Sequence, residues 1–337
     1  MLHLGNGGTA VGASDFGRAR RYTGGPAQNS TRKRMSALLL LAVCLALGVL
    51  VARIGQPPAT LAQSLNWWVL NVALSALVLH LIPQLQFQGH LWFVIAAMWL
   101  VFLGGWAFFS VLGRALHWPR ARVGSLTLVC GLGNTSFIGF PLIEALRGRE
   151  GLKLGLVADQ AGTFLMLAVG GTIVAALHSG RVDSSRIVHD VTRKVALFPP
   201  FVALIVGSVV GAAGGWPDAV DDILSRIGAT LVPIALFSVG LQLKLTFSRA
   251  QLRAICLGLG WKLALAPALV YLLGVVAGVG GMMLVIGVLQ AAMAPMISAA
   301  ILADQYDLEP QLANTVLGTG ILLSFLTVPW VNHLLEL

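Results

Sequence analysis

Charge is what this sequence has least of. Only 10% of its 337 residues are Asp, Glu, Lys or Arg, against roughly 25% in an ordinary soluble domain. A surface so poor in charge cannot be solvated by water. That excludes a typical soluble globular protein and leaves a polytopic membrane protein, as does the mean hydropathy of +0.85. Acids are scarcer than bases, 13 against 22, for a net charge of +9. Such an excess can mark nucleic-acid binding. Here the bases lie mostly in short loops between apolar runs, where the positive-inside rule puts them, and no aromatic residues interleave with them.

The sequence also lacks the groupings that metal and catalytic sites need. Its three cysteines, Cys44, Cys130 and Cys256, all sit in apolar segments without metal spacing and read as small core residues. The seven histidines are scattered. There is no Ser/His/Asp set and no HExxH, and "GLGNTS" has neither the lysine nor the third glycine of a nucleotide loop. No catalytic residue, metal or cofactor is expected, and the chain does not read as an enzyme.

Long apolar runs are what it has. A run of roughly 20 apolar residues spans a bilayer core. Ten candidates follow one another, at about 36–54, 62–82, 90–113, 123–147, 154–178, 195–214, 227–246, 254–278, 282–303 and 311–333. Residues 1–34 stand apart as a Gly- and Arg-rich tail or a misassigned start, because Met35 opens a natural first span. The longest connection, 179–194, reads as a cytoplasmic linker dividing the chain into five-segment units, 35–178 and 195–337. Five is odd, so two copies of one unit enter the membrane from opposite sides, the inverted-repeat plan of many secondary transporters. The expected class is therefore an all-α polytopic membrane protein.

If Met35 begins outside, the inside loops carry eleven basic residues, Arg114, Arg120, Arg122 and Arg253 among them, and the outside loops carry four, Arg147, Arg149, Lys153 and Arg226. The six bases before Met35 oppose this orientation.

One stretch resists the apolar pattern. "GLGNTSFIGFPLIEAL", Gly131 to Leu146, puts glycines, polar residues and a proline inside a spanning run. A shift of 159 residues lays it on "QAAMAPMISAAILADQ", Gln290 to Gln305, also interrupted by small residues and proline. Irregular backbone at membrane depth survives only where protein buries it or water reaches it. Two breaks at matching places, facing each other, form a recurring transporter binding site. Gly133, Asn134, Thr135, Ser136 and Pro141 are the candidates in the first break, and Gln290, Pro295 and Ser298 in the second. Small residues also serve plain helix packing, an alternative that weighs more heavily on Asn71 in the second segment. Ionisable residues at membrane depth are costly and suggest function. Asp159, beside Gln160, is the candidate proton or cation relay. Lys262 either snorkels to an interface or sets a positive charge near a substrate. Glu144 reads as interfacial and paired with Arg147.

"GNTSFIGFPL" resembles the "GNTGFLGLP"-like signature of the auxin efflux carrier family of membrane transporters. "VARIGQPPATLAQSLNWWVLNVALSAL", "LVPIALFSVGLQL" and the stretch from Gln290 to Pro329 are similar to that family too. The resemblance covers about 35–337. It implies ten segments in two inverted repeats, broken crossover helices four and nine, a scaffold and a crossover bundle, elevator movement, and a homodimer. It implies small organic anions as substrates, mono- or dicarboxylates, in the inner membrane of a bacterium. Two departures stand out: Ser75 replaces a proline common in the second segment, and Ser298 to Ala300 stand where plant relatives carry another. The alternatives are a sodium-coupled bile-acid-type symporter and a non-transporting receptor on the same fold.

Overall fold

The computed structural model describes residues 26–85, 89–180, 191–193, 195–243 and 251–336. Of the tail at 1–34, residues 1–25 lie outside them and 26–34 are helical; most of the 179–194 linker also lies outside. The chain is helical, with one isolated β-bridge and no sheet among the described residues. Helices are what an apolar chain in lipid must form, because no water is there to satisfy the backbone.

In chain order the helices are α1 (Pro26–Ile54), α2 (Leu61–Gln84), α3 (Leu91–Ala115), α4 (Arg120–Gly131), α5 (Gly139–Ser179), α6 (Pro199–Ala212), α7 (Asp218–Gln242), α8 (Leu252–Val276), α9 (Gly281–Ala291), α10 (Ile297–Gln305) and α11 (Pro310–Leu334). Among the described residues α2, α3, α5, α7, α8 and α11 are long and apolar enough to cross a membrane. Leu39–Ile54 within α1, together with α6 and α9, forms shorter apolar stretches.

The structure redraws two boundaries. The expected span 123–147 divides into α4, which starts earlier at Arg120, an irregular stretch over 132–138, and the start of α5. The gap between the expected spans 123–147 and 154–178 is no loop. Gly148 alone turns the chain, with φ 67° and ψ −166°, and helix continues on either side. Glycine populates that region without steric cost.

Two groups of helices pack mainly among themselves. In one, α1 crosses α7, and α2 packs on α6 and α7. The α1–α7 crossing is backbone to backbone: a Cβ on Gly48 would lie 2.1 Å from the Phe237 carbonyl oxygen and 2.9 Å from Gly240 Cα. In the other, α3 is the spine. Its buried Phe93, Phe102 and Phe109 are met by α4, α5, α8 and α9, and Trp261 of α8 stacks on Phe108 with ring centroids 5.1 Å apart. Glycines make room for this spine. A Cβ on Gly287 would meet Phe93 at 2.7 Å, and one on Gly170 would meet Phe102 at 2.5 Å.

Three spans carry π-helical turns: α2 at Val69–Ala73, α5 at Ala158–Phe164 and Met166–Gly171, and α8 at Trp261–Leu265. Asn71, Asp159 with Gln160, and Lys262 all lie in such turns. An inserted π residue widens the helix and re-aims the side chains around it, so these turns recur at functional sites.

Candidate functional site

The two sequence breaks meet in space. Gly133 and Pro295 form the antiparallel bridge, and the Asn134 N–H donates to the Ala294 carbonyl at 2.8 Å. Asn134 also builds the first break. Its Oδ1 accepts from the N–H groups of Phe137, at 3.1 Å, and Ile138, at 3.3 Å, and its carbonyl accepts from Gly139 at 3.0 Å. One asparagine thus satisfies the amides of the turn that leads into α5, as a capping side chain does at a helix start. Its Nδ2 is buried without a partner.

Thr135 and Ser136 point their hydroxyls at Asp159. Both donate to its Oδ1, Ser136 at 2.7 Å, and Gln160 Nε2 donates to Oδ2 at 2.6 Å. Asp159 is 3% exposed, and among the described residues no lysine or arginine pairs with it. An ionised carboxylate is acceptor-only, and three donors converge on this one. Gln160 Oε1 is left without a partner.

A cavity of about 90 Å³ opens beside this cluster. Asn134, Ser136, Asp159 and Ser298 supply its polar lining; Leu70, Phe164, Phe198 and Met296 supply much of the rest. Leu70 belongs to the α1–α2–α6–α7 group and Phe198 directly precedes α6, so the cavity lies between the two groups of helices. Phe164 and Phe198 stack across it with centroids 4.0 Å apart. The N-terminus of α10 faces it through Ile297 and Ser298, with no side chain capping that end.

The remaining candidates are placed differently. Gln290 is fully buried behind the first break, where its Nε2 donates to the carbonyls of Gly155, at 3.2 Å, and Thr135, at 3.5 Å. Lys262 does not snorkel. Its ammonium is buried and donates to the Ala291 carbonyl at 2.9 Å, which satisfies the C-terminal end of α9. Pro141 is not at the break. It sits in the first turn of α5 and lines another cavity, of about 400 Å³, with Glu144, Arg149 and His80. Asn71 is also away from the crossing: its amide donates to Trp67 O, one turn back in its own helix, at 2.9 Å. Arg147 pairs with Asn332 and Glu336, while Glu144 is exposed beside Arg149 in the larger cavity. Cys44 and Cys130 are buried, but Cys256 is exposed.

Sequence reasoning missed one ionisable pair. His80, 5% exposed on α2, holds Asp221 of α7 at 2.6 Å through Nδ1, while its Nε2 has no partner. A histidine inside the apolar run "ALVLHLIP" was the signal, since intramembrane ionisable groups are rare.

The model of the family described as "Membrane transport protein" matches residues 34–331. An uncharacterized transporter of Methanothermobacter thermautotrophicus is 26% identical over 307 residues, 89% of this chain and 96% of that protein. A second uncharacterized transporter, from Methanocaldococcus jannaschii, is 24% identical over 202 residues, 57% of this chain and 61% of its own length.

Proposed function

The chain belongs to the membrane transport protein family, of the auxin efflux carrier type, and from that premise we propose that it is a secondary transporter of small organic anions, mono- or dicarboxylates. The observation that carries the reading is the crossing itself, where Asn134 N–H binds Ala294 O beside a cavity that contains Asp159. The uncapped N-terminus of α10 presents free amides and a partial positive charge to that cavity. Such a helix end binds anions, and broken helices of this kind hold substrates in transporters. Asp159 then serves as the proton or ion coupling group, with Thr135, Ser136 and Gln160 orienting it.

The proposal extends to the architecture and movement that the family resemblance implies. The ten segments form two inverted five-helix repeats with breaks at corresponding positions. The α1–α2–α6–α7 group is the scaffold. The other group carries the cavity past it in an elevator movement, with Leu70 and Phe198 as the surface it slides along. The working unit is a homodimer in a bacterial inner membrane, with the first helix starting outside.

The test is uptake and counterflow in proteoliposomes of malonate, malate, succinate, indole-acetate and a bile acid, each with an imposed pH or sodium gradient and with none. Saturable, pH-driven flux of one carboxylate is expected. Sodium-driven flux of the bile acid would favour the symporter instead. No flux of any, from folded protein, would sink the transport reading.

A further inference from the structure

Four basic side chains outside the crossing have an acid beside them. Arg122 reaches Glu309 at 3.0 Å, Lys153 reaches Glu150 at 2.8 Å, Arg226 reaches Asp222 at 2.9 Å, and Arg147 reaches Glu336 at 3.4 Å. One cluster does not follow this pattern. Arg114 in the last turn of α3, His117 in the α3–α4 link, Arg120 at the start of α4 and His178 near the end of α5 line a single cavity of about 610 Å³. No carboxylate is among its lining residues, and among the described residues Arg114 and Arg120 have no ion pair.

The position of Arg120 is unfavourable in itself. A helix N-terminus carries partial positive charge, so a cation there is repelled unless an anion lies between. Arg122, two residues on, has Glu309 as that anion; Arg120 has none. No side chain caps α4 either. His178 donates its Nδ1–H to the Val174 carbonyl at 2.9 Å, so Nε2 is the ring atom left for a ligand. The rim is apolar: Leu177 lines the cavity and is 46% exposed, and Val111, beside the lining residue Ser110, is 65% exposed. A cavity with cations on its wall and exposed aliphatic side chains at its edge lies where the ends of spanning helices meet lipid headgroups.

We propose that this cavity is a binding site for the phosphate headgroup of an anionic membrane lipid, with Arg114 and Arg120 gripping the phosphate and the acyl chains running down past Leu177 and Val111. Basic pockets between membrane helices bind anionic headgroups in this way, and guanidinium groups suit phosphate oxygens. The site is separate from the crossover cavity and does not depend on what that cavity carries.

The experiment is native mass spectrometry of the whole chain in neutral detergent, titrated with phosphatidylglycerol, phosphatidylcholine or inorganic phosphate. Wild type is expected to retain one phosphatidylglycerol at concentrations where phosphatidylcholine washes off, and to lose it as salt rises. Arg114→Gln with Arg120→Gln is expected to weaken retention at least tenfold. Arg120→Gln alone, which alters one exposed side chain, is expected to weaken it several-fold with the lipid-free melting temperature unchanged or slightly raised. Arg226→Gln, which removes a paired arginine elsewhere, is expected to leave retention intact. Equal retention of phosphatidylglycerol by the double variant would overturn the proposal, as would equal retention of phosphatidylcholine by wild type. Displacement of the lipid by equimolar inorganic phosphate would assign the cavity to free phosphate and overturn the lipid reading.

Discussion

Asn134 and Ala294, 160 positions apart in the chain, are joined by a 2.8 Å backbone hydrogen bond. It ties the first break to the second, and the asparagine that makes it also caps the turn that leads into α5. Backbone position, helix cap and cavity wall thus depend on one residue whose Nδ2 has no protein partner.

That division of labour separates two substitutions. Asn134→Ala loses the cap on Phe137 and Ile138, a cost of about 1 kcal/mol, and the free amide donor as well. Asn134→Ser keeps a capping oxygen, adds no charge beside Asp159 and loses the amide donor. The alanine variant is expected to melt lower and the serine variant to melt close to wild type, while both lose at least 90% of uptake, a roughly tenfold effect worth about 1.4 kcal/mol. Normal uptake by the serine variant would remove Nδ2 from substrate contact.

Asp159→Asn tests coupling. The new amide keeps an oxygen for Thr135 and Ser136, and its NH₂ meets Gln160. A flip of the Gln160 amide then presents the oxygen that now lacks a partner. The variant is expected to fold and to carry substrate by counterflow, with a rate that no longer changes with pH, because the side chain cannot release a proton. A pH profile identical to wild type would make Asp159 structural.

The breaks were legible because they conflict with everything around them. Glycine, asparagine and proline in an apolar run contradict the helix the run otherwise specifies, and such contradictions concentrate at functional sites. The contact between Asn134 and Ala294 was not legible, since no local pattern encodes a partner so distant in sequence. Pro141 was misread for a physical reason. Proline suits the first turn of a helix, where its missing N–H is not needed, so it marks the start of α5 and the asparagine upstream makes the break. Lys262 was ambiguous because a lysine in an apolar helix can reach an interface or a carbonyl. Only the helix packing shows that the nearest acceptor is Ala291 O. The pairing of Glu309 with Arg122 was not legible either, because it depends on a left-handed turn at Glu309 that brings together residues far apart in the chain.

The α1–α7 crossing gives a stability prediction independent of transport. A methyl on Gly48 would overlap the Phe237 carbonyl at 2.1 Å, and both partners are backbone, so the helices must separate. Overpacking of this kind costs about 1–3 kcal/mol. Gly260→Ala is the control, a helical glycine with nothing within 4 Å of the added carbon. Thermal unfolding in detergent is expected to drop for Gly48→Ala and to hold or rise slightly for Gly260→Ala, since alanine favours helix. Equal melting of the two would mean that α1 and α7 do not cross this closely.

Lys262 distinguishes pinning from coupling. Its Nζ sits 2.9 Å from the Ala291 carbonyl and close against Gly133, where an added Cβ would also lie 2.9 Å from it. It therefore touches the α9 end of the second break and the backbone of the first, yet it does not line the cavity that contains Asp159. Lys262→Met preserves the length and apolar stem while removing the donor. The Ala291 carbonyl then loses its side-chain donor in a buried place, a cost of about 1–3 kcal/mol. If the ammonium holds the two breaks together, the variant melts lower and transports more slowly, but keeps the wild-type pH profile and apparent KM. If it takes part in coupling, the pH profile shifts while the melting temperature stays close to wild type. The geometry favours the first outcome, because the lysine's hydrogen bond is spent on a backbone carbonyl and Asp159 draws all its donors from Thr135, Ser136 and Gln160.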